Sequence, residues 1–411
     1  MQALAAHGPP RRRRRWIVVP LVVLVLAAGG FVYGALSSST SAPGSVTGGG
    51  GSAGGPGPTT KVVTSVGGGV FALRSTTPSN GAKNVASNTT LSLRFTVALA
   101  SGGTTPTLTP PVAGHWEREG THTLVFHPTA PFVPSSTEKL TVPGGPSGIR
   151  SASGRHLAKT SVITFTIATG STLRLEELLA ELGYLPLSYT PPSTPAPQDM
   201  AEPQSGTLTW RWPNMPSQLT SQWTQGYFSV ITKGAVMEFE RENGLAVDGI
   251  PGPEVWGALL ADVVSHKDNA TPYAYVLVTK TLPEHLTAWV NGVLKFQNFA
   301  VNTGTRGATT HNGTFEVFEH VRESHMSGTD VTGTHYTITT VPWVSYFDGG
   351  DALHYYSRAS YGFPQSNGCV EMQLPTAAAL WPYTPIGTLV TIQGPTYGGT
   401  SSKNTISNTT A

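Results

Sequence analysis

The sequence predicts a multidomain, mostly-β protein with one apolar helix near its start and one small helical module in its middle. Three observations carry this. Glycine (47) and proline (33) are abundant and charged residues are only 12% of the 411. That composition suits short strands joined by turns, not long solvent-facing helices. Apolar and polar residues alternate, as in half-buried strands, across residues 68–169 and again across 271–395. Between these regions, residues 171–262 switch to helical spacing. The length suits roughly two to four domains.

The N-terminus reads as an address. Arg11–Arg15 is followed at once by the uncharged stretch Trp16–Leu36. Its 21 residues would rise about 31 Å as a helix, close to the hydrocarbon thickness of a bilayer. Residues 1–15 are then a cytoplasmic basic segment and 16–36 a single-pass transmembrane anchor, since a basic run stays on the cytoplasmic side. A cleaved signal peptide is the other reading, and both export the rest of the chain. Residues 37–67 are rich in Gly, Ser, Pro and Thr and read as a flexible linker, and 396–411 as a disordered tail. The formal net charge of +2 depends on the arginine run: without it, 20 basic residues face 23 acidic ones, a net of −3. The exported part lacks the basic footprint of a nucleic-acid binder.

In residues 68–169, Leu91–Phe95, Leu124–Phe126, Leu140–Val142 and Val162–Ile167 are strand candidates separated by turn-forming clusters, the pattern of a small sandwich. The opening Thr77–Val85 leading into Asn88–Phe95 resembles bacterial Ig-like domains. His115, His122 and His127 are scattered and carry no catalytic pattern.

In residues 171–262, Leu173–Leu182 places apolar residues at 175, 178, 179 and 182 and is followed by Gly183, a helix stop. A second helix signal spans Lys233–Asn243, again followed by glycine. The run Phe239, Gly244, Leu245, Val247, Asp248, Gly249, Gly252, Pro253, Trp256 and Leu259 resembles the second half of the small helical peptidoglycan-binding module. Leu178–Leu185 resembles its first helix. Glu240 stands where that family has Gln and Val255 where it has Thr, and a proline-rich insertion, about 188–221, separates the halves. The resemblance implies glycan binding; a helical spacer that positions the next domain is the alternative.

Residues 271–395 begin with the strand candidate Tyr273–Val278. Leu286–Val290 and Val293–Phe299 flank Asn291-Gly292, the strongest short-range signal for a hairpin. The chain's single cysteine, Cys369, follows Ser366-Asn367-Gly368, with His354 fifteen positions upstream. A thiol attacks a carbonyl as thiolate, and an imidazole is the usual means of making one. Gly368 permits a sharp turn, so that main-chain N–H groups around Gly368 and Cys369 form an oxyanion hole. A lone cysteine is otherwise a small buried hydrophobe.

This segment resembles the signature of the L,D-transpeptidase (YkuD-type) catalytic domain: an upstream His, a spacer, then Ser/Thr-His-Gly-Cys, an aliphatic residue and Arg. Ser366, Gly368, Cys369 and Val370 match, and His354 stands at the place of the base. Val301–Gly304, Asn312–Val317, Pro342–Phe347 and Thr388–Ile392 resemble further strands of that domain. Asn367 replaces the family's second His, Glu371 its Arg, and the spacer is short. The resemblance implies that Cys369 is the nucleophile and His354 the base and acid. Gly368 and Asn367 then serve the oxyanion hole or orientation, with Ser366 beside them. Trp343, Tyr346, Tyr355, Ser357 and Glu371 are expected to bind substrate, although Trp343 and Tyr346 also suit a core. The implied reaction transfers an acyl group from a tetrapeptide stem through a thioester to an amine, making a 3→3 peptidoglycan cross-link. Peptidoglycan stem peptides and glycan are the expected partners, with the protein in the cell membrane and its C-terminal part facing the wall. With water as acceptor it is an L,D-carboxypeptidase; without chemistry, a wall-binding protein. No cofactor is expected. A metal is not expected either: His311, His320, His325 and His335, with Asp330, Asp348 and Asp351, offer no H-E-x-x-H or other tight ligand pair.

Overall fold

The computed structural model describes residues 70–396. The expected basic segment, membrane span and linker, and the tail beyond residue 396, lie outside the described residues. Among the described residues no helix is long and apolar enough to cross a membrane.

The first domain is a sandwich of two antiparallel sheets. One orders its strands β1 (Leu73–Thr77), β2 (Leu91–Phe95), β5 (Thr123–Pro128) and β4 (Gly114–Glu119); the other β3 (Thr107–Thr109), β6 (Thr137–Val142) and β7 (Ser161–Thr166). The alternation of β2 places Leu91, Leu93 and Phe95 in the core, where Phe126, Phe132, Leu140 and Phe165 meet them.

The middle region contains α1 (Thr172–Glu181), the short pair β8 (Leu187–Ser188) and β9 (Thr209–Trp210), α2 (Ser217–Thr220), α3 (Val230–Glu242) and α4 (Pro253–Ser265). Ser171 caps α1 through the Arg174 N–H, and Ser229 forms a capping box with Thr232 at the start of α3. The proline-rich insertion is an ordered bracket. Arg174 donates to Met200 O and pairs with Glu177 at 2.9 Å, and Glu177 also accepts from the Gln204 N–H. On its other side, Ser87 and Asn88 of the sandwich donate to Glu202 and Asp199. Leu208, Met215 and Leu219 join the helices in one core, which also takes in Tyr275, Leu277 and Leu389 of the last domain. The helical module therefore shares its core with the last domain. At that contact Gly234 lies against Gly387: an added Cβ would be 2.6 Å from the Gly387 carbonyl oxygen.

The last domain has two sheets. In the first, the order is β12 (Val293–Ala300), β11 (His285–Val290), β10 (Ala274–Thr279), β18 (Leu389–Gln393), β13 (Gly313–Glu316), with β10 and β18 parallel. The expected β11–β12 hairpin turns at Asn291 and Gly292, both at positive φ (47° and 74°), the geometry that Asn-Gly favours. The second sheet runs β14 (Glu319–Thr329), β15 (His335–Asp348), β16 (Asp351–Tyr355), β17 (Val370–Met372), antiparallel except for the parallel β16–β17 pair. Helix α5 (Leu374–Leu380) packs on β16. Val276, Val278, Val390 and Ile392 of one sheet meet Leu353, Val370 and Met372 of the other.

Candidate active site

Strands β16 and β17 bring the two halves of the motif together. Their parallel register sets Leu353 beside Val370 and His354 beside Glu371, so Cys369 ends the loop that enters β17 next to the strand of His354. Both side chains line a cleft of about 560 Å³. The long β14–β15 hairpin forms the facing wall with Met326, Tyr336 and Ile338.

The loop before Cys369 is fixed from inside. Ser366 Oγ donates to Cys369 O at 2.6 Å and accepts the Gly368 N–H at 3.2 Å. Thr310 Oγ1 donates to Gly368 O and accepts the Gly304 N–H. Gly368 has φ of +124°, and an added Cβ would lie 2.1 Å from Asp351 Oδ1, so the position admits only glycine. The Gly368 N–H, expected in an oxyanion hole, is thus engaged by Ser366. Ser366 supports the loop from its buried side and does not line the cleft.

His354 is 3% exposed. Its Nδ1 lies 2.9 Å from Tyr355 O, which assigns the proton to Nδ1 and leaves the Nε2 lone pair as acceptor. Burial pushes its pKa below the ordinary value, only partly offset by the Tyr355 carbonyl and Glu371, so the ring is neutral at physiological pH. The Cys369 thiol points to Gly350 O at 3.7 Å. Burial, and then the Asp351 carboxylate, push its pKa up, against a smaller pull from the Ala352 N–H. At rest these two groups are therefore a neutral thiol and a neutral imidazole.

The other anticipated residues divide by parity along the extended chain. His354, Tyr356 and Arg358 line the cleft, as do Gln365, Asn367, Cys369 and Glu371. Tyr355 packs into the core between the sheets instead, and Ser357 is exposed and outside the cleft. Trp343 is not part of the cleft wall: it has φ of +61°, packs edge-on to Trp381, and is covered by Arg322 at 3.5 Å. Tyr346 is 4% exposed and buried in the small cluster beneath Cys369, its hydroxyl 2.8 Å from Ser324 Oγ. Trp343 is half-buried and Tyr346 buried, and the left-handed φ of Trp343 breaks the alternation of β15 between them.

The two departures from the family signature both find partners. Asn367 hydrogen-bonds the Tyr336 hydroxyl, a wall residue that sequence reading missed. Glu371 is 4% exposed and takes both oxygens' bonds from Arg358, Nε to Oε2 and Nη2 to Oε1, each at 2.7 Å. The charge reversed at 371 is thus cancelled by a guanidinium from the preceding loop. Of the groups weighed as metal ligands, His311, Asp348 and Asp351 offer ligand atoms within 4.8 Å of one another, with His311 Nδ1 2.7 Å from Asp348 Oδ2. His320 instead stacks on Trp381 at 4.0 Å, and burial pushes its pKa down to about 4.

Residues 274–392 match the family model of the L,D-transpeptidase catalytic domain. The resemblance seen in the motif is borne out, as are the Ig-like one and the second half of the peptidoglycan-binding one; Leu178–Leu185, read as the first helix of that module, lies outside the match. Residues 70–167 match a bacterial Ig-like domain and 218–259 a peptidoglycan binding domain. No curated protein matches the chain. Among solved structures, the chain is similar to an L,D-transpeptidase from Mycobacterium smegmatis at 13% identity, covering 79% of this chain and 100% of that one, TM-score 0.27. It is similar to L,D-transpeptidase 3 from Mycobacterium tuberculosis in complex with a faropenem-derived adduct at 12% identity, covering 79% and 98%, TM-score 0.28. The catalytic domain from E. faecium L,D-transpeptidase is 20% identical, covering 30% of this chain and all of that one, TM-score 0.27.

Proposed function

We propose that the protein is an L,D-transpeptidase that forms 3→3 peptidoglycan cross-links through a thioester on Cys369. The observation that supports this best is the neutral, buried His354. Its Nδ1 is tied to Tyr355 O, and it shares one cleft with the chain's single cysteine in a domain that matches the transpeptidase family.

A neutral imidazole beside a neutral thiol is a general base that waits for substrate. As Sγ bonds to the carbonyl carbon between the third and fourth residues of a stem tetrapeptide, its proton passes to His354 Nε2. The tetrahedral oxyanion faces the loop at Cys369 and the Tyr336 hydroxyl, which burial keeps protonated. When the C–N bond breaks, the imidazolium returns the proton to the departing D-alanine amine. The side-chain amine of a second stem then attacks the thioester, forms the new amide and releases the thiol. Water in place of that amine gives a carboxypeptidase.

Peptidoglycan is the partner that the helical-module and catalytic matches both point to. In this reading the protein is held at the membrane by residues 16–36 and works on the wall side, which rests on the sequence alone. The rest of the exported chain carries the catalytic domain toward the wall. The test is product analysis of full-length protein with a disaccharide-tetrapeptide. Free D-alanine and cross-linked dimer are expected, both lost in Cys369→Ala; D-alanine without dimer would mark a carboxypeptidase. Neither product from wild type, in a sample that still binds peptidoglycan, would leave a wall-binding protein.

A further inference from the structure

Arg358 is fixed more completely than a neutralising cation requires. Nε and Nη2 each donate to Glu371 at 2.7 Å, and Nη2 also donates to Gln365 O at 3.1 Å. The Tyr356 ring lies 4.7 Å from the guanidinium carbon and covers one face. A guanidinium has five N–H donors in a rigid fork. Three are spent and one face is shielded, so the two N–H groups of Nη1 are those without a partner among the described residues. The side chain is 28% exposed and lines the cleft beside His354. Glu371 therefore does more than neutralise this cation. It sets its orientation, leaving one donor edge turned toward whatever fills the cleft.

The chemistry at His354 says what that is. In any acyl transfer to Cys369 the departing amine must reach the imidazole to be protonated. If the leaving group is an α-amino acid, its carboxylate is one carbon away from that amine and falls on the His354 flank, which Arg358 occupies. We infer that Arg358, aimed by Glu371, is the specificity-determining residue that reads the free carboxylate of the departing amino acid. This inference rests on the acyl-transfer reading above.

The experiment compares acylation of full-length protein by a stem tetrapeptide ending in a free carboxylate and by the same peptide ending in a carboxamide. Wild type is expected to prefer the free acid by about 10–100-fold in kcat/KM, the range for one charge-assisted contact. Arg358→Met is expected to bring the ratio near one, the loss entering through KM for the free acid. Because that variant leaves Glu371 buried and unpaired, Arg358→Met/Glu371→Gln is measured beside it and is expected to behave alike. An unchanged preference in either folded variant overturns the inference. No thioester with either peptide in wild type overturns the acyl-transfer reading and the inference with it, and is seen as a missing adduct, not a changed ratio.

Discussion

In the helical module, buried carboxylates accept hydrogen bonds from loop and helix donors. Glu176 accepts from Trp223 Nε1, the Gly226 N–H and Thr232 Oγ1, and Glu177 from Arg174 and the Gln204 N–H. Glu240 accepts the Asp248 and Gly249 N–H groups through one oxygen. Each ties a loop to a helix. In the catalytic cleft the carboxylates face chemistry. Glu371 holds an arginine, while no donor among the described residues reaches the Asp351 carboxylate, which abuts Gly368 and faces the Cys369 thiol. The module uses buried charge to fix backbone. The cleft uses it to set the ionisation of Cys369 and the orientation of Arg358.

The largest difference should appear at Asp351. Its pKa is pushed up to about 7 by burial first and then by Asp348, with His311 opposing. Above pH 7 the carboxylate is charged and resists thiolate formation at Cys369; below pH 7 it is neutral. Asp351→Asn should therefore speed alkylation of Cys369 by iodoacetamide roughly tenfold at pH 8.5 and leave it within about twofold at pH 6. Equal acceleration at both pH values would show that packing, not charge, is responsible.

A smaller effect is expected in the module. Glu240 has its pKa pushed up to about 7, by burial first, and its Oε1 is buried without a partner. A carboxyl whose folded pKa is raised stabilises the fold while protonated. That contribution is complete below the ordinary value near 4.5 and is lost as pH rises through 7. Glu240→Gln cannot ionise. Between pH 5 and pH 8 its Tm should fall less than that of wild type, by roughly 2–4 °C. Parallel falls in a calorimetric series would remove Glu240 from the account.

Much of this was legible in the sequence where a local rule acts alone. The alternation of Leu91–Phe95 gave β2, and Asn291-Gly292 gave the β11–β12 turn. The pairing of Cys369 with His354 was readable only through resemblance, because fourteen intervening residues fold back to place β16 beside β17. The aromatic wall was misassigned for a physical reason. Side chains alternate along extended chain, and Tyr355 and Ser357 have the parity opposite to His354, whereas Tyr356 and Arg358 share it. The choice needed one fixed point, and His354 supplied it. Trp343 and Tyr346 were unreadable because the left-handed φ of Trp343 interrupts the period. Arg358 and Glu371 are thirteen residues apart with no pattern joining them. Only the folded loop reveals the pair.

The central claim is that Cys369 carries the acyl group, and intact-mass spectrometry of full-length protein mixed with a stem tetrapeptide tests it most directly. The account predicts an adduct equal to the donor minus D-alanine, located at Cys369 and absent from Cys369→Ala. An equal adduct on Cys369→Ala, or cross-linked product formed while that variant remains active, would contradict it.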